Sequence, residues 1–231
     1  MVELFPGGFE EIDHPDGVEL VAYTDASGEE RMWHAFGQAA SAEVSEGWEE
    51  RWREFHKPAR VGPLWIGPPW IDPPADATAV VIEPARAFGT GAHPTTRLVV
   101  ELLLGVDRGA TLDVGCGSGV LSIAAAKLGF APVVALDIED AAVDATRANA
   151  ATNGVDIDVS RSDATTADLP SADLALANIT RELVELVAPR LQCPHLIASG
   201  YLVSDEPSLD GYNHQRRVMS EGWAADLFAR Q

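Results

Sequence analysis

The chain is short of several things, and each shortage excludes a class of protein. There are two cysteines in 231 residues, Cys116 and Cys193, far apart and in no C-x-x-C pair. That removes both a disulfide framework and a cysteine zinc site, and no metal is expected. No run of eighteen apolar residues and no charged-then-apolar leader is found, so neither a membrane span nor a signal peptide is expected, and the protein is assigned to the cytoplasm. Basic residues are scarce: 16 Lys and Arg stand against 36 Asp and Glu, a net charge of −20, and Lys57 and Lys127 are the only lysines. Affinity for nucleic acid comes mostly from cation–phosphate contacts, so a DNA or RNA partner is disfavoured. The acidity either steers a basic protein partner toward the chain or serves solubility alone. At 46% hydrophobic residues the chain can bury one full domain and a smaller one.

Glycine, by contrast, is concentrated where it matters. Leu112-Asp113-Val114 is an apolar run that breaks into Gly115, Gly117 and Gly119 and resumes as Val120 to Leu128, the pattern of a strand, a tight loop and a helix. Pro132 to Asp137 reads as a second buried strand ending in an acid, where a nucleotide-binding βαβ unit keeps the carboxylate for ribose hydroxyls. The spacing G-x-G-x-G differs from the G-x-G-x-x-G of dinucleotide enzymes, which argues against a nicotinamide-dependent oxidoreductase. Asp-x-Gly-x-Gly-x-Gly followed by Asp137 resembles the first two motifs of class I S-adenosylmethionine-dependent methyltransferases. Cys116, between two glycines, reads as a small filler rather than a nucleophile.

Further elements follow in order. Val18 to Thr24 reads as a strand, a weaker one precedes it near Phe9 to Ile12, and Ser41 to Phe55 reads as a helix with Val44, Trp48, Trp52 and Phe55 on one face. Pro58 to Pro84 carries seven of the fifteen prolines; proline fixes φ and removes a donor, so the stretch reads as a linker that holds no regular helix or central strand, with a short strand over Ala79 to Pro84 at its end. The expected units are 1–57, a linker over 58–74, and 75–231. Within the last unit, Phe88-Gly-Thr-Gly-Ala-His-Pro-Thr-Thr96 leads into a helix whose first turn offers free N–H groups and the Thr95 and Thr96 hydroxyls. These could hold a carboxylate or merely cap the helix. Strands are expected near 157–160, 172–179 and 195–200, helices over 141–153 and 181–191, and an antiparallel pair in the tail. Asn178 closes one strand at the edge of the sheet where ligands bind, able either to orient an amine or to cap the next helix.

Taken together, the 88–96 loop, Asp113 to Gly119, Asp137, Asn153-Gly154-Val155, Ala177-Asn178-Ile179, Ser199-Gly200 and Gly222-Trp223 are similar to the bacterial ribosomal protein L11 methyltransferase family. The likeness implies a Rossmann-like seven-stranded sheet preceded by a small α+β unit. It also implies S-adenosylmethionine held by Thr96, Gly115, Gly117, Asp137 and Asn178, with Asp163 lying where class I methyltransferases meet the adenine amine; turn acids are common there too. Asn178 is then the catalytic residue near the methyl group. The implied acceptor is an amine of a basic protein, ribosomal protein L11 first, with no nucleic acid or membrane partner. Two departures bear on the acceptor. The chain before the linker has room for two strands and a helix, fewer than the family's β-α-β-β-α-β front unit. Thr180 stands where the family usually has leucine after Asn-Ile.

Overall fold

The computed structural model describes residues 10–14, 17–21, 32–33, 35–36, 57–84 and 91–231. Backbone proximity divides the chain into 1–53 and 54–231. Within the first unit, β1 (Glu10–His14) and β2 (Gly17–Val21) pair antiparallel, Glu10 opposite Val21, where the alternating pattern predicts strands. The helix expected over 41–55 and the loop residues Phe88 to Thr90 lie outside the described residues.

The second unit begins with a correction. The expected linker carries β3 (Ala59–Val61) and β4 (Leu64–Gly67), which with β5 (Thr78–Val81) form a three-stranded sheet whose middle strand is β4. Leu64, Ile66, Val80 and Ile82 are buried in the main core. Proline count misleads here because the prolines fall at strand ends and turns, such as Pro58, Pro63 and Pro68, leaving a proline-free Leu-Trp-Ile-Gly run. The outer edge of β5 is closed by side chains: Asn153 accepts from the Val81 N–H at 2.9 Å and donates to the Val81 carbonyl at 2.6 Å. Asn149, one helical turn earlier, accepts from Glu83 N–H at 3.0 Å and donates to the Ser118 carbonyl at 2.9 Å.

The large sheet is built from β6 (Thr111–Val114), β7 (Val133–Asp137), β8 (Asp158–Arg161), β9 (Leu174–Asn178), β10 (His195–Leu202), β11 (Tyr212–Ser220) and β12 (Trp223–Arg230). Their order is β11-β12-β10-β9-β6-β7-β8, parallel from β10 to β8, with β12 antiparallel on β10 and β11 on β12. This is the expected seven-stranded, mostly parallel sheet. The helices are α1 (Pro94–Leu103), α2 (Val120–Lys127), α3 (Asp140–Asn153, closed by Gly154) and α4 (Arg181–Val187). A parallel strand covered on both faces needs apolar side chains throughout, and β9 shows it: Leu174 and Leu176 join one core cluster, Ala175 and Ala177 the other.

The antiparallel tail is locked by one buried carboxylate. Asp226 accepts from the Tyr201 hydroxyl at 2.9 Å, from Arg217 Nε and Nη2 at 2.8 Å each, and contacts His214 Nε2 at 2.8 Å. Burial alone would raise its pKa; those bonds, Arg217's first, instead hold it below the usual carboxylate range. No helix among the described residues is long and apolar enough to cross a membrane.

Candidate active site

Strand order reverses at β6, which pairs with β7 on one side and β9 on the other, and a crevice opens beyond the carboxyl ends of these strands. A cavity of about 530 Å³ occupies it, within the range of small-molecule sites. Thr96, Gly115, Gly117, Asp137, Asp163 and Asn178 all line it. The structure therefore brings together every site residue read from the sequence.

One wall is backbone. The β6–α2 loop folds back on β7, Gly115 and Cys116 both donating to the Leu136 carbonyl at 2.8 and 3.1 Å. Gly119 caps α2 with φ +81°, and a Cβ there would lie 2.8 Å from Thr146 Cγ2 and 3.1 Å from its Cα, so no side chain fits. Asp137 holds the loop, accepting from Gly117 N–H at 2.9 Å and from Glu139 N–H at 3.0 Å. Asp113 of the glycine motif does not line the cavity. It is buried behind the loop and accepts from Ser122 N–H at 3.1 Å and Ser122 Oγ at 2.5 Å, tying α2 to β6. Burial pushes its carboxyl up to about 6, against the Ser122 bonds that pull it down. Cys116 accepts from Thr146 Oγ1 at 3.3 Å, and burial raises its thiol to about 12, so it stays protonated at neutral pH and is no nucleophile.

The opposite wall is made of side chains. His93 is the N-cap of α1: its Nδ1 accepts from Thr95 N–H at 3.4 Å and lies 2.8 Å from Thr95 Oγ1. Burial, and then the charge of Arg97, lower its pKa. Its ring meets Trp223 edge-on at 4.9 Å. Asn178 Nδ2 donates to Thr95 Oγ1 at 3.2 Å, while Asn178 Oδ1 is buried with no hydrogen-bond partner among the described residues. Of the two roles open to Asn178, capping is removed: the cap position of α4 is Thr180, which itself lines the cavity. Thr95 is likewise corrected, since its hydroxyl is engaged between His93 and Asn178 rather than offered to a carboxylate.

Two further pieces complete the rim. Asp163 Oδ1 accepts from Thr165 N–H at 2.9 Å and Thr165 Oγ1 at 2.6 Å; the hydroxyl bond first, then the N–H, holds its pKa low. It thus shapes its own turn while lining the cavity. Gly200, at the end of β10, approaches so closely that a Cβ would sit 2.1 Å from the Ile179 carbonyl oxygen, and this contact backs the Asn178-Ile179-Thr180 segment. Sequence reasoning missed the ties made by Thr146, Asn149 and Asn153. The available signal was two asparagines four apart on the buried face of a helix.

Comparison with known proteins agrees with this architecture. Residues 15–225 match the family model described as ribosomal protein L11 methyltransferase (PrmA). A protein named ribosomal protein L11 methyltransferase from an Exiguobacterium species is 37% identical over 197 residues, 74% of this chain and 62% of that protein. One of the same name from Serratia proteamaculans is 42% identical over 173 residues, 70% of this chain and 59% of its own. The chain thus spans about 60% of the length of these relatives. The crystal structure of a ribosomal protein L11 methylase from Lactobacillus delbrueckii subsp. bulgaricus aligns with a TM-score of 0.65 at 30% identity, over 74% of this chain and 96% of that one. With nearly the whole chain inside the family model and the glycine loop, Asp137 and Asn178 gathered at one cavity, the chain belongs to the ribosomal protein L11 methyltransferase family.

Proposed function

We propose that the chain is an S-adenosylmethionine-dependent N-methyltransferase of protein amino groups, acting in the cytoplasm on ribosomal protein L11 or a related basic protein. The observation that carries this reading is Asn178 Oδ1, a buried acceptor in the cavity wall without a donor among the described residues. A buried acceptor left unpaired is costly, and an amine supplies the missing N–H. The net charge of −20 favours a basic partner.

The cavity residues suit the cofactor. Thr96 would hold the methionine carboxylate, Gly115 and Gly117 would allow close backbone approach, Asp137 would take the ribose hydroxyls, and Asp163 would face the adenine amine. When bound, S-adenosylmethionine supplies an electrophilic methyl group on a sulfonium. The acceptor must be neutral to attack, and a lysine amine titrates near ~10.4, a chain-terminal amine near ~7.7–8.0. Asn178 Oδ1 accepts one N–H of the neutral amine and so aims its lone pair. Alignment of this kind supplies on the order of 7–11 kcal/mol, and the apolar lining excludes water from the reacting atoms.

A second reading keeps the chemistry and changes the acceptor to another protein or a small molecule. It is favoured by Thr180, a polar side chain in the cavity wall. The experiment is incubation with methyl-labelled S-adenosylmethionine and ribosomal protein L11, with the label located by mass spectrometry. Label on lysine or terminal amines is expected. No label, with cofactor binding demonstrated by calorimetry in the same buffer, would move the acceptor elsewhere.

A further inference from the structure

The side-chain wall of the cavity is held by an ordered chain of hydrogen bonds from the cap of α1 to the end of β9, and the identity of each donor fixes its direction. It begins at the Thr95 main-chain N–H, which can only donate, and it donates to His93 Nδ1 at 3.4 Å. Nδ1 therefore carries a lone pair, and the imidazole proton sits on Nε2. Thr95 Oγ1 lies 2.8 Å from the same nitrogen, so its single proton points there. That leaves Oγ1 only its lone pairs to offer Asn178, 3.2 Å away, and the side chain facing it must be a donor. Amide oxygen and nitrogen look alike in shape, and the choice between them is decided by such partners. Here the partner requires Nδ2 toward Thr95. With the amide reversed, two acceptors would face each other with no proton between them. Oδ1 is turned the other way, into the cavity wall, where it is buried and meets no donor among the described residues.

We infer that Thr95 is the positioning residue of the site, fixing through its hydroxyl which end of the Asn178 amide faces the acceptor amine. The inference rests on the reading of Asn178 as the group that meets that amine. It gives the second threonine of the His-Pro-Thr-Thr run a different task from the first. Both threonines line the cavity and both are buried, but only the Thr95 hydroxyl is bonded to Asn178, so Thr96 is left to bind and Thr95 to orient. It also accounts for His93 in the loop, whose Nδ1 sets the direction of the chain without exchanging a proton with substrate. The three residues come from the cap of α1 and the end of β9, 83 positions apart, so the relay exists only once the sheet has formed.

The test uses Thr95→Val, which keeps the shape and removes the hydroxyl, Thr95→Ala as a smaller replacement, and Thr95→Ser, which keeps the hydroxyl. In methyl transfer, Thr95→Val is expected to lower kcat about tenfold, the worth of one hydrogen bond, with KM for S-adenosylmethionine held within about twofold. Thr95→Ser is expected to restore the rate. In an Asn178→Ala background Thr95→Val should cost less than about twofold more, because residues acting in series are not additive. Losses that multiply in the double variant would overturn the inference. A second readout needs no acceptor at all. The Asn178 side-chain amide, assigned in nitrogen-15 spectra by its disappearance in Asn178→Ala, is expected to exchange its protons about tenfold faster in the Val and Ala variants than in the wild type or Thr95→Ser. Equal exchange in all four would overturn the inference whether or not a methyl group is transferred. Faster exchange in a protein that transfers no methyl to any amine would uphold the hydrogen-bond chain and overturn the functional reading instead.

Discussion

The two walls of the cavity are built on different principles. On the β6–α2 side the surface is main chain: Gly115, Gly117 and Gly119 all lie at positive φ, loop N–H groups bond to the Leu136 carbonyl, and the Asp137 carboxylate gathers two more. On the α1–β9 side it is side chain: His93, Thr95 and Asn178 in series, with Trp223 against the imidazole. A backbone wall tolerates almost no change of residue, because a Cβ is itself the obstacle. A side-chain wall tolerates changes of shape but depends on the direction of each hydrogen bond. The first sets whether a ligand fits and whether the domain holds; the second, in the function proposed above, orients the acceptor amine.

That contrast can be broken or sharpened experimentally. The largest effect is expected at Asp137→Ala, which removes the proposed ribose partner and frees the Gly117 N–H. Cofactor affinity by calorimetry should fall on the order of several hundredfold, from hydrogen bonds to a charged group worth about 1.5–3 kcal/mol each. Unchanged affinity would remove Asp137 from the site. Next is Gly119→Ala, expected to destabilise the domain by about 3 kcal/mol in urea unfolding, from the left-handed backbone and the crowding against Thr146 together.

Behind the same wall, Asp113→Asn sharpens the picture through pH. The folded-state pKa of Asp113 is raised from 3.8 to about 6, so the native state binds more protons than the unfolded state in that window. Wild-type stability from this group is therefore present at low pH and lost as pH rises through about 6. Relative to wild type, Asp113→Asn should gain about 2 kcal/mol on going from pH 4.5 to pH 7.5, read from paired unfolding curves. A pH-independent difference between the two would contradict the assignment. The smallest effect is expected at His93→Ala, which loses a helix cap worth about 1 kcal/mol in stability. If it destabilised the protein as much as Gly119→Ala, the distinction between a structural wall and an orienting wall would not hold.

Much of this was legible in the chain itself. Leu112 to Asp137 announces strand, glycine loop, helix and strand because the apolar periods and the glycines act within a few residues of one another, and the structure keeps those elements within a residue or two. The proline-rich stretch was misread because proline bears on the residue it occupies and the one before it. The Leu64–Gly67 strand between the turns is decided by burial against α1 and α2, which local composition does not report. Asn149 and Asn153, four apart on one helix face, gain their meaning only when β5 is seen to need partners along its open edge.

By itself, then, the sequence determined the doubly covered sheet, the glycine loop and its acid, and the residues that reach the cavity, because those depend on residue type and short-range period. Only the tertiary structure decided what Thr95 and Asn178 do. A hydroxyl and an amide can each donate or accept, and their direction is set by whichever fixed donor the fold brings to the far end of the chain, here the Thr95 main-chain N–H acting through His93.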